Sequence, residues 1–343
     1  MTRNNYSQVW IDGSFLLTRA LFALTHGKDP SEVTPGDIFK VNLQTINRLA
    51  RDWSISGAKI IIIWDKWDQA YDGYIRSWLL KDHIKYKGSR VIMTEELLHE
   101  LERTGTEKEI QKAKRELALN NLKQTTKYAM IEEFPKLGIM SYYYPGYEFD
   151  DIVTLASFWY HGKSEMPNII VTKDTDLRYS LCPGSCNFFS LPTYGSEPKI
   201  VTYEEMYQEI PQELRDRGVG LYQYNAMMNA AGFFGHNDMQ VTKKKGAKPV
   251  ETLLKILSED YSGLKDPDLY KLQYETYDLG KFPNIDKVRE DISKFERTGV
   301  YGKLDSFHEI CNTYKIEGLS DYFYQGILSR LDEKYYSESV THD

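Results

Sequence analysis

The sequence predicts an α/β fold: a parallel sheet flanked by helices over about the first 204 residues, then a helical region to the end of the 343-residue chain. Three observations predict it. Short apolar runs recur through the first two hundred positions, most of them followed by a longer segment with helical spacing. The run Ala58 to Trp64 is apolar at nearly every position, the pattern of a strand covered on both faces. After about Tyr203 the strand signal fades and helical periodicity continues alone.

The expected strands are Gln8 to Ile11, Ala58 to Trp64, Ile139 to Tyr144 and Asn168 to Thr172, with weaker runs at Asn187 to Leu191 and Lys199 to Thr202. Helical spacing falls between them at Ser14 to Leu24, Gly36 to Asp52, Gly73 to His83, Glu95 to Phe134 and Asp151 to Tyr160. The fourth is long for one globular helix, and Thr104-Gly105-Thr106 divides it in two. Later helices are expected at Tyr222 to Phe234, Pro249 to Ser258, Asp286 to Glu296, Asp305 to Tyr314 and Ser320 to Leu331. Gly246-Ala247-Lys248-Pro249 has the turn chemistry of a helix-hairpin, with Pro249 suited to a first helical position.

Composition narrows the function classes. With 41% apolar and 27% charged residues, the chain is globular rather than disordered. Its 43 Lys and Arg against 50 Asp and Glu give a net charge of −7, so there is no bulk basic field and a polyanion would have to be held by local patches. No apolar run approaches the roughly 20 residues of a spanning helix, and no signal-peptide stretch is evident. Three cysteines are too few for a disulfide framework and suit a reducing compartment, so a cytoplasmic protein is expected. The 26 tyrosines could stack on bases, but such residues more often pack at the edge of a core.

In open α/β sheets ligands bind beyond the carboxyl ends of the strands. The residues there are acidic: Asp12 after the first run, Asp65 after the second, Glu148, Asp150 and Asp151 after the third, Asp174 and Asp176 after the fourth. Two carboxylates about 4 Å apart repel by roughly 4 kcal/mol at an effective dielectric of 20, so a cluster of them needs cations. Hard oxygen ligands of this kind suit Mg²⁺ or Mn²⁺ rather than zinc. Acids after strands are also common helix caps, which fits Asp151. Downstream of Asp65 a basic segment collects Arg76, Lys81, Lys85, Lys87 and Arg90 with Tyr86 among them, a composition suited to phosphate and base. Lys243, Lys244, Lys245 and Lys248 form a second basic patch at the hairpin turn, where backbone N–H groups and lysines can grip a phosphodiester.

The order of these motifs resembles the structure-specific 5′ nucleases, the PIN-like flap endonucleases and 5′ to 3′ exonucleases that include phage ribonuclease H enzymes. The resemblance covers about Gln8 to Leu257. It is carried by Ile11-Asp12-Gly13, Trp64-Asp65, Arg76 with Tyr86-Lys87-Gly88-Ser89-Arg90, Glu148-Phe149-Asp150-Asp151 in place of the family's Glu-Ala-Asp-Asp, and Thr172-Lys173-Asp174-Thr175-Asp176-Leu177. It implies a PIN-like nuclease domain over 1–204 with a helical arch about 91–134, and a helical region over 205–343 with a helix-three-turn-helix about 233–258. It implies a tight Mg²⁺ or Mn²⁺ site made by Asp12, Asp65, Glu148, Asp150 and Asp174, with Asp151 and Asp176 nearby. Arg76 and Lys81 would act on the reacting phosphate, and Tyr86, Lys87, Arg90 and the hairpin lysines would hold DNA. One motif departs: where the family carries Gly-Asp-x-x-Asp-Asn, this chain has Gly235-His236-Asn237-Asp238-Met239-Gln240, and only Asp238 could serve a second metal, by a one-residue shift.

The expected activity is Mg²⁺-dependent 5′ to 3′ exonuclease or flap endonuclease action on DNA bearing a 5′ flap, nick or RNA primer during replication, by a phage-encoded monomer in the host cytoplasm. Replication proteins such as single-strand binding protein are its expected protein partners, and no membrane is. The rival readings are a PIN-like endoribonuclease, which does not need the hairpin lysines, and a DNA junction-binding protein with a degenerate site.

Overall fold

The computed structural model describes residues 8–52, 59–71, 73–80, 93–161, 168–183, 186–189, 200–235, 239–295, 297 and 302–331. In chain order the elements are β1 (Gln8–Asp12), α1 (Gly13–Thr25), α2 (Pro35–Asp52), β2 (Lys59–Ile63), α3 (Ile75–Leu80), α4 (Glu95–Thr104), α5 (Glu107–Glu133) and β3 (Met140–Tyr142). They continue as α6 (Phe149–Tyr160), β4 (Asn168–Val171), β5 (Cys186–Phe189), β6 (Ile200–Val201), α7 (Tyr203–Glu209), α8 (Gln212–Arg215) and α9 (Leu221–Ala230). The last are α10 (Pro249–Leu257), α11 (Pro267–Glu275), α12 (Ile285–Ser293), α13 (Leu304–Thr313) and α14 (Asp321–Leu331). The chain divides into two compact units, one of 1–64, 91–142 and 298–343, the other of 65–90 and 143–297.

In the first unit β1 pairs in parallel with β2, Gln8 opposite Lys59 and Asp12 opposite Ile63, and β2 pairs in parallel with β3. Ile60 to Ile63 are all buried, as a strand covered on both faces requires. At the end of β1 the Asp12 carboxylate accepts a hydrogen bond from Phe15 N at 2.9 Å and so caps α1. Gly13 follows because a Cβ there would run into the indole of Trp64, which is wholly buried. The expected break at Gly105 is present: Thr94 caps α4, and Thr106 with Glu109 forms a capping box that starts α5. No residue of α4 is buried, and only Ala113, Thr126 and Met130 are buried in the 27 residues of α5. Arg115 ties that long helix to the end of α1 by donating to the Thr25 and Lys28 carbonyls, each at 2.9 Å.

In the second unit β4 and β5 run parallel, whereas β5 and β6 are antiparallel, Phe188 opposite Val201. The last strand thus runs against the parallel pair before it. Only residues 190–199 separate β5 from β6, fewer than the dozen or so that a parallel crossover needs. Within this unit later helices pack on earlier elements. The hydroxyl of Tyr160 donates to Ile292 O at 3.1 Å, and the Tyr179 ring stacks on Phe234 at 5.5 Å. Helices α7, α8 and α11 are additional to those read from periodicity. The hairpin turns at Gly246, whose φ is +79°, and α10 begins at Pro249 as expected. Buried Gln273 clamps the chain entering it. Its amide donates to Ala230 O at 2.7 Å and Gln240 O at 3.0 Å, and accepts from Gln240 N at 2.7 Å. No helix among the described residues is long and apolar enough to cross a membrane.

The Gly13 contact gives a test of this packing. Ala in place of Gly gains about 0.5–1 kcal/mol of helix propensity, but overpacking against a buried ring costs about 1–3 kcal/mol. Gly13→Ala should therefore lower the urea midpoint, and an unchanged or higher midpoint would show that Trp64 has room to move.

Candidate metal and phosphate site

The site is built where three segments of the second unit meet. After β2 the chain runs through Asp65 and Lys66 beside the turn before α6, exchanging Lys66 N to Tyr147 O at 3.2 Å and Gly146 N to Lys66 O at 2.8 Å. Ile75, the first residue of α3, donates its N–H to Gly146 O at 2.9 Å. These bonds carry Arg76, the next residue, to the N-terminus of α6. Gly146 sits at φ +81°, and a Cβ on it would lie 2.5 Å from the Tyr71 ring, so the approach needs glycine.

At that helix start the carboxylates take up the first amides. Asp65 accepts from Phe149 N at 2.7 Å, and Asp151 accepts from Glu148 N at 3.1 Å. The positive end of the helix favours the anionic forms. Carboxylate oxygens of Glu148, Asp150 and Asp151 lie within 4.8 Å of one another. At that spacing each pair repels by about 3–4 kcal/mol at an effective dielectric of 20.

Arg76 answers this repulsion. Its Nη1 donates to Asp150 Oδ2 at 2.6 Å and lies 3.8 Å from Glu148 Oε2, while Nη2 is 2.6 Å from Asp151 Oδ1. The side chains of Arg76, Glu148 and Asp151 are 8%, 3% and 1% exposed, that of Asp150 36%. Three carboxylates against one guanidinium leave a formal charge of −2. Burial pushes the Asp151 pKa well up, the Arg76 charge opposes the rise, and Asp150 and Glu148 reinforce it. The far face of the guanidinium is covered by Tyr277, its ring centre 5.4 Å from Cζ. Tyr222, whose hydroxyl donates to Tyr277 O at 3.0 Å, holds that residue in place; burial raises the Tyr222 pKa. A clustered set of hard carboxylate oxygens, one of them partly open to water, fits Mg²⁺ or Mn²⁺.

Of the residues singled out from the sequence, the structure thus brings Asp65, Arg76, Glu148, Asp150 and Asp151 together. Asp174 and Asp176 lie in the same unit beyond β4, where Asp174 caps a 3₁₀ turn by accepting from Asp176 N at 3.0 Å. Asp12 stands at the end of β1 in the first unit. Among the described residues, the group able to share one ion contains neither Asp12, Asp65, Asp174 nor Asp176. Lys81, Tyr86, Lys87, Arg90 and Asp238 lie outside the described residues. Met239, where the family resemblance places an aspartate, is 8% exposed and packs with Leu80, Leu269, Leu272 and Tyr277, so this position is core. At the hairpin Lys244, Lys245 and Lys248 are exposed, Lys243 lies 4.4 Å above the Phe233 ring, and Lys244 Nζ bonds Ser262 O at 2.6 Å. Tyr277 and Tyr222 are not legible as site residues from the sequence. Nothing in their spacing separates them from the other tyrosines.

No family model and no curated protein matches the chain. Among solved structures it is similar to the T5 D15 protein co-crystallised with metal ions, at TM-score 0.54 and 17% identity over 85% of this chain and 99% of that one. The bacteriophage T5 D15 flap endonuclease in a pseudo-enzyme-product complex with DNA and metal ions gives 0.48 and 16% over 86% of this chain and 100% of that one. T5 5′-exonuclease with bound zinc gives 0.48 and 16% over 95% and 99%. The likeness to the first shows the fold, a parallel α/β sheet flanked by helices.

Removing Arg76 should expose the repulsion it offsets. Arg76→Met strands buried carboxylates and should cost about 3–5 kcal/mol at pH 7. Those carboxyls then hold protons more tightly folded than unfolded, so the deficit relative to wild type should shrink as pH falls from 7 towards 5 and be largest above 7. Paired urea titrations at several pH values measure it; a deficit that does not change with pH would mean the acids do not feel one another.

Proposed function

We propose that the protein is a divalent-metal-dependent 5′ nuclease that cuts DNA carrying a 5′ flap, nick or RNA primer during replication, and that it is phage-encoded. The observation that carries this reading is the gathering of Glu148, Asp150 and Asp151 against Arg76 at one helix start, with Asp65 capping the same helix, on a fold of the 5′ nuclease type. Glu148 and Asp150, with Asp12, Asp65 and Asp174 from the other strand ends, would hold Mg²⁺ or Mn²⁺, and Asp176 would stand nearby. The ion would supply Lewis acidity to the phosphodiester and lower the pKa of attacking water. Arg76 offers a fixed positive charge beside it, to orient phosphate and offset charge in the transition state, and Lys81 would share that role. Tyr86, Lys87 and Arg90 would contact the strand near the cut. The little-buried α4 and α5 would form the arch that admits a free 5′ end. The turn at Gly246, with Lys243, Lys244, Lys245 and Lys248, would grip the duplex backbone. The protein would act as a monomer in the host cytoplasm, with single-strand binding protein as a candidate partner of its C-terminal helices. Met239 leaves Asp238 as the one acid of its loop available to a second ion, which would therefore bind less tightly.

A labelled 5′-flap duplex incubated with and without Mg²⁺ tests the reading. Metal-dependent release of the flap is expected. Cleavage of single-stranded RNA instead would favour an endoribonuclease, and metal-independent binding without cleavage a junction-binding protein. Asp174→Asn should abolish cleavage while leaving the metal-free melting temperature unchanged or raised, since it removes a like charge; near wild-type turnover would take Asp174 out of the site. Changing all four hairpin lysines to Ala should weaken binding to every sequence alike. It should also flatten the plot of log K against log salt by about 0.9 for each phosphate that is no longer neutralised. Because Lys243 and Lys244 already have partners within the chain, most of that change should come from Lys245 and Lys248. An unaltered slope would remove the hairpin from the DNA footprint.

A further inference from the structure

The two aspartates that close the Glu148-Phe149-Asp150-Asp151 motif are adjacent in sequence, yet the structure gives them different surroundings. Asp150 is 36% exposed, its Oδ2 touching Arg76 Nη1 at 2.6 Å. Asp151 is 1% exposed, with one oxygen taken by Glu148 N at 3.1 Å and the other paired with Arg76 Nη2 at 2.6 Å. One Asp151 oxygen thus accepts at the helix start, and the other is ion-paired with the guanidinium without a hydrogen bond. A guanidinium is a planar fork that takes a defined orientation when held at one arm. Held through Nη2 by Asp151 and covered by Tyr277 on its face, it must present Nη1 to Asp150 and Glu148.

We propose, resting on the nuclease reading above, that Asp151 is not a metal ligand but a positioning residue, which anchors Arg76 so that its Nη1 stands beside the ion-binding carboxylates Glu148 and Asp150. The anchor also sets the charge of the site. Of the three carboxylates around Arg76, Asp151 offsets the guanidinium, and Glu148 and Asp150 leave a local −2 that adds to the charge of the other proposed ligands.

Charge arithmetic separates an anchor from a ligand. Asp151→Asn alone lowers the local charge to −1 and should weaken divalent binding under either assignment. Arg76→Gln together with Asp151→Asn removes one positive and one negative charge and returns the site to −2. If Asp151 only offsets Arg76, Mn²⁺ affinity in this double variant should return to within about threefold of wild type. If it is a ligand, the loss should persist at about tenfold or more, because balancing the charge does not replace the missing oxygen ligand. Asp150→Asn should stay weakened in the Arg76→Gln background.

The experiment is a Mn²⁺ titration of the full chain without DNA, followed by paramagnetic resonance or calorimetry, with flap cleavage measured in parallel. The expected result for the double variant is restored Mn²⁺ binding without restored cleavage, since the positioned guanidinium is gone. Mn²⁺ binding that remains tenfold weaker than wild type, or cleavage restored along with binding, would overturn the proposal. Should the amide pair fail to fold, Arg76→Met with Asp151→Ser is the second variant, because serine can still accept from Glu148 N at the helix start. A wild-type chain that binds Mn²⁺ but cuts no flap would overturn the nuclease reading and leave this comparison standing. One that binds no Mn²⁺ would overturn both.

Discussion

The mutual repulsion of the carboxylates at the start of α6, and its balance by one buried guanidinium, is the constraint on which the second unit depends. Glu148, Asp150 and Asp151 would not remain charged within 4.8 Å of one another without a cation. Arg76 must therefore reach them, and the chain is arranged to deliver it. The loop after Asp65 pairs its backbone with Gly146 and Tyr147, and the first amide of α3 binds Gly146 O. A helix of six residues, Ile75–Leu80, is enough, because these bonds rather than its length place the arginine.

The same constraint reaches into the later helices. Arg76 is covered by Tyr277 from beyond α11, Tyr277 is held by Tyr222 from α9, and the hydroxyl of Tyr147 beside the turn donates to Pro283 O at 2.9 Å. A covered guanidinium is shielded less by water, so its attraction to the acids is stronger than at an exposed site. Residues late in the second unit thus complete the setting of acids that precede them. The hairpin is built on this frame, since Gln273 and Thr242 both bind Ala230 O at the end of α9 and fix how the chain enters the lysine turn.

Met239 shows the packing logic at its plainest. Its side chain lies among Leu80, Leu269, Leu272 and Tyr277, where a carboxylate would be desolvated without a partner. This apolar cluster joins α3, the helix that carries Arg76, to α11. The position that the family resemblance reserves for an acid here helps hold the arginine's helix instead.

The sequence by itself determined the elements whose signal is local. The isoleucine run of β2, the break at Gly105, the turn at Gly246 with Pro249 behind it, and the acids placed after strands are each written in a few adjacent residues, because burial on two faces, capping and positive φ act over short distances. Only the tertiary structure decided how those pieces are used. That Arg76 forks between Asp150 and Asp151, that two neighbouring aspartates differ in exposure, and that Tyr277, held by Tyr222, covers the guanidinium are matters of segments far apart in the chain. Charge pairing and burial depend on which side chains meet in space, and spacing along the chain does not carry that information.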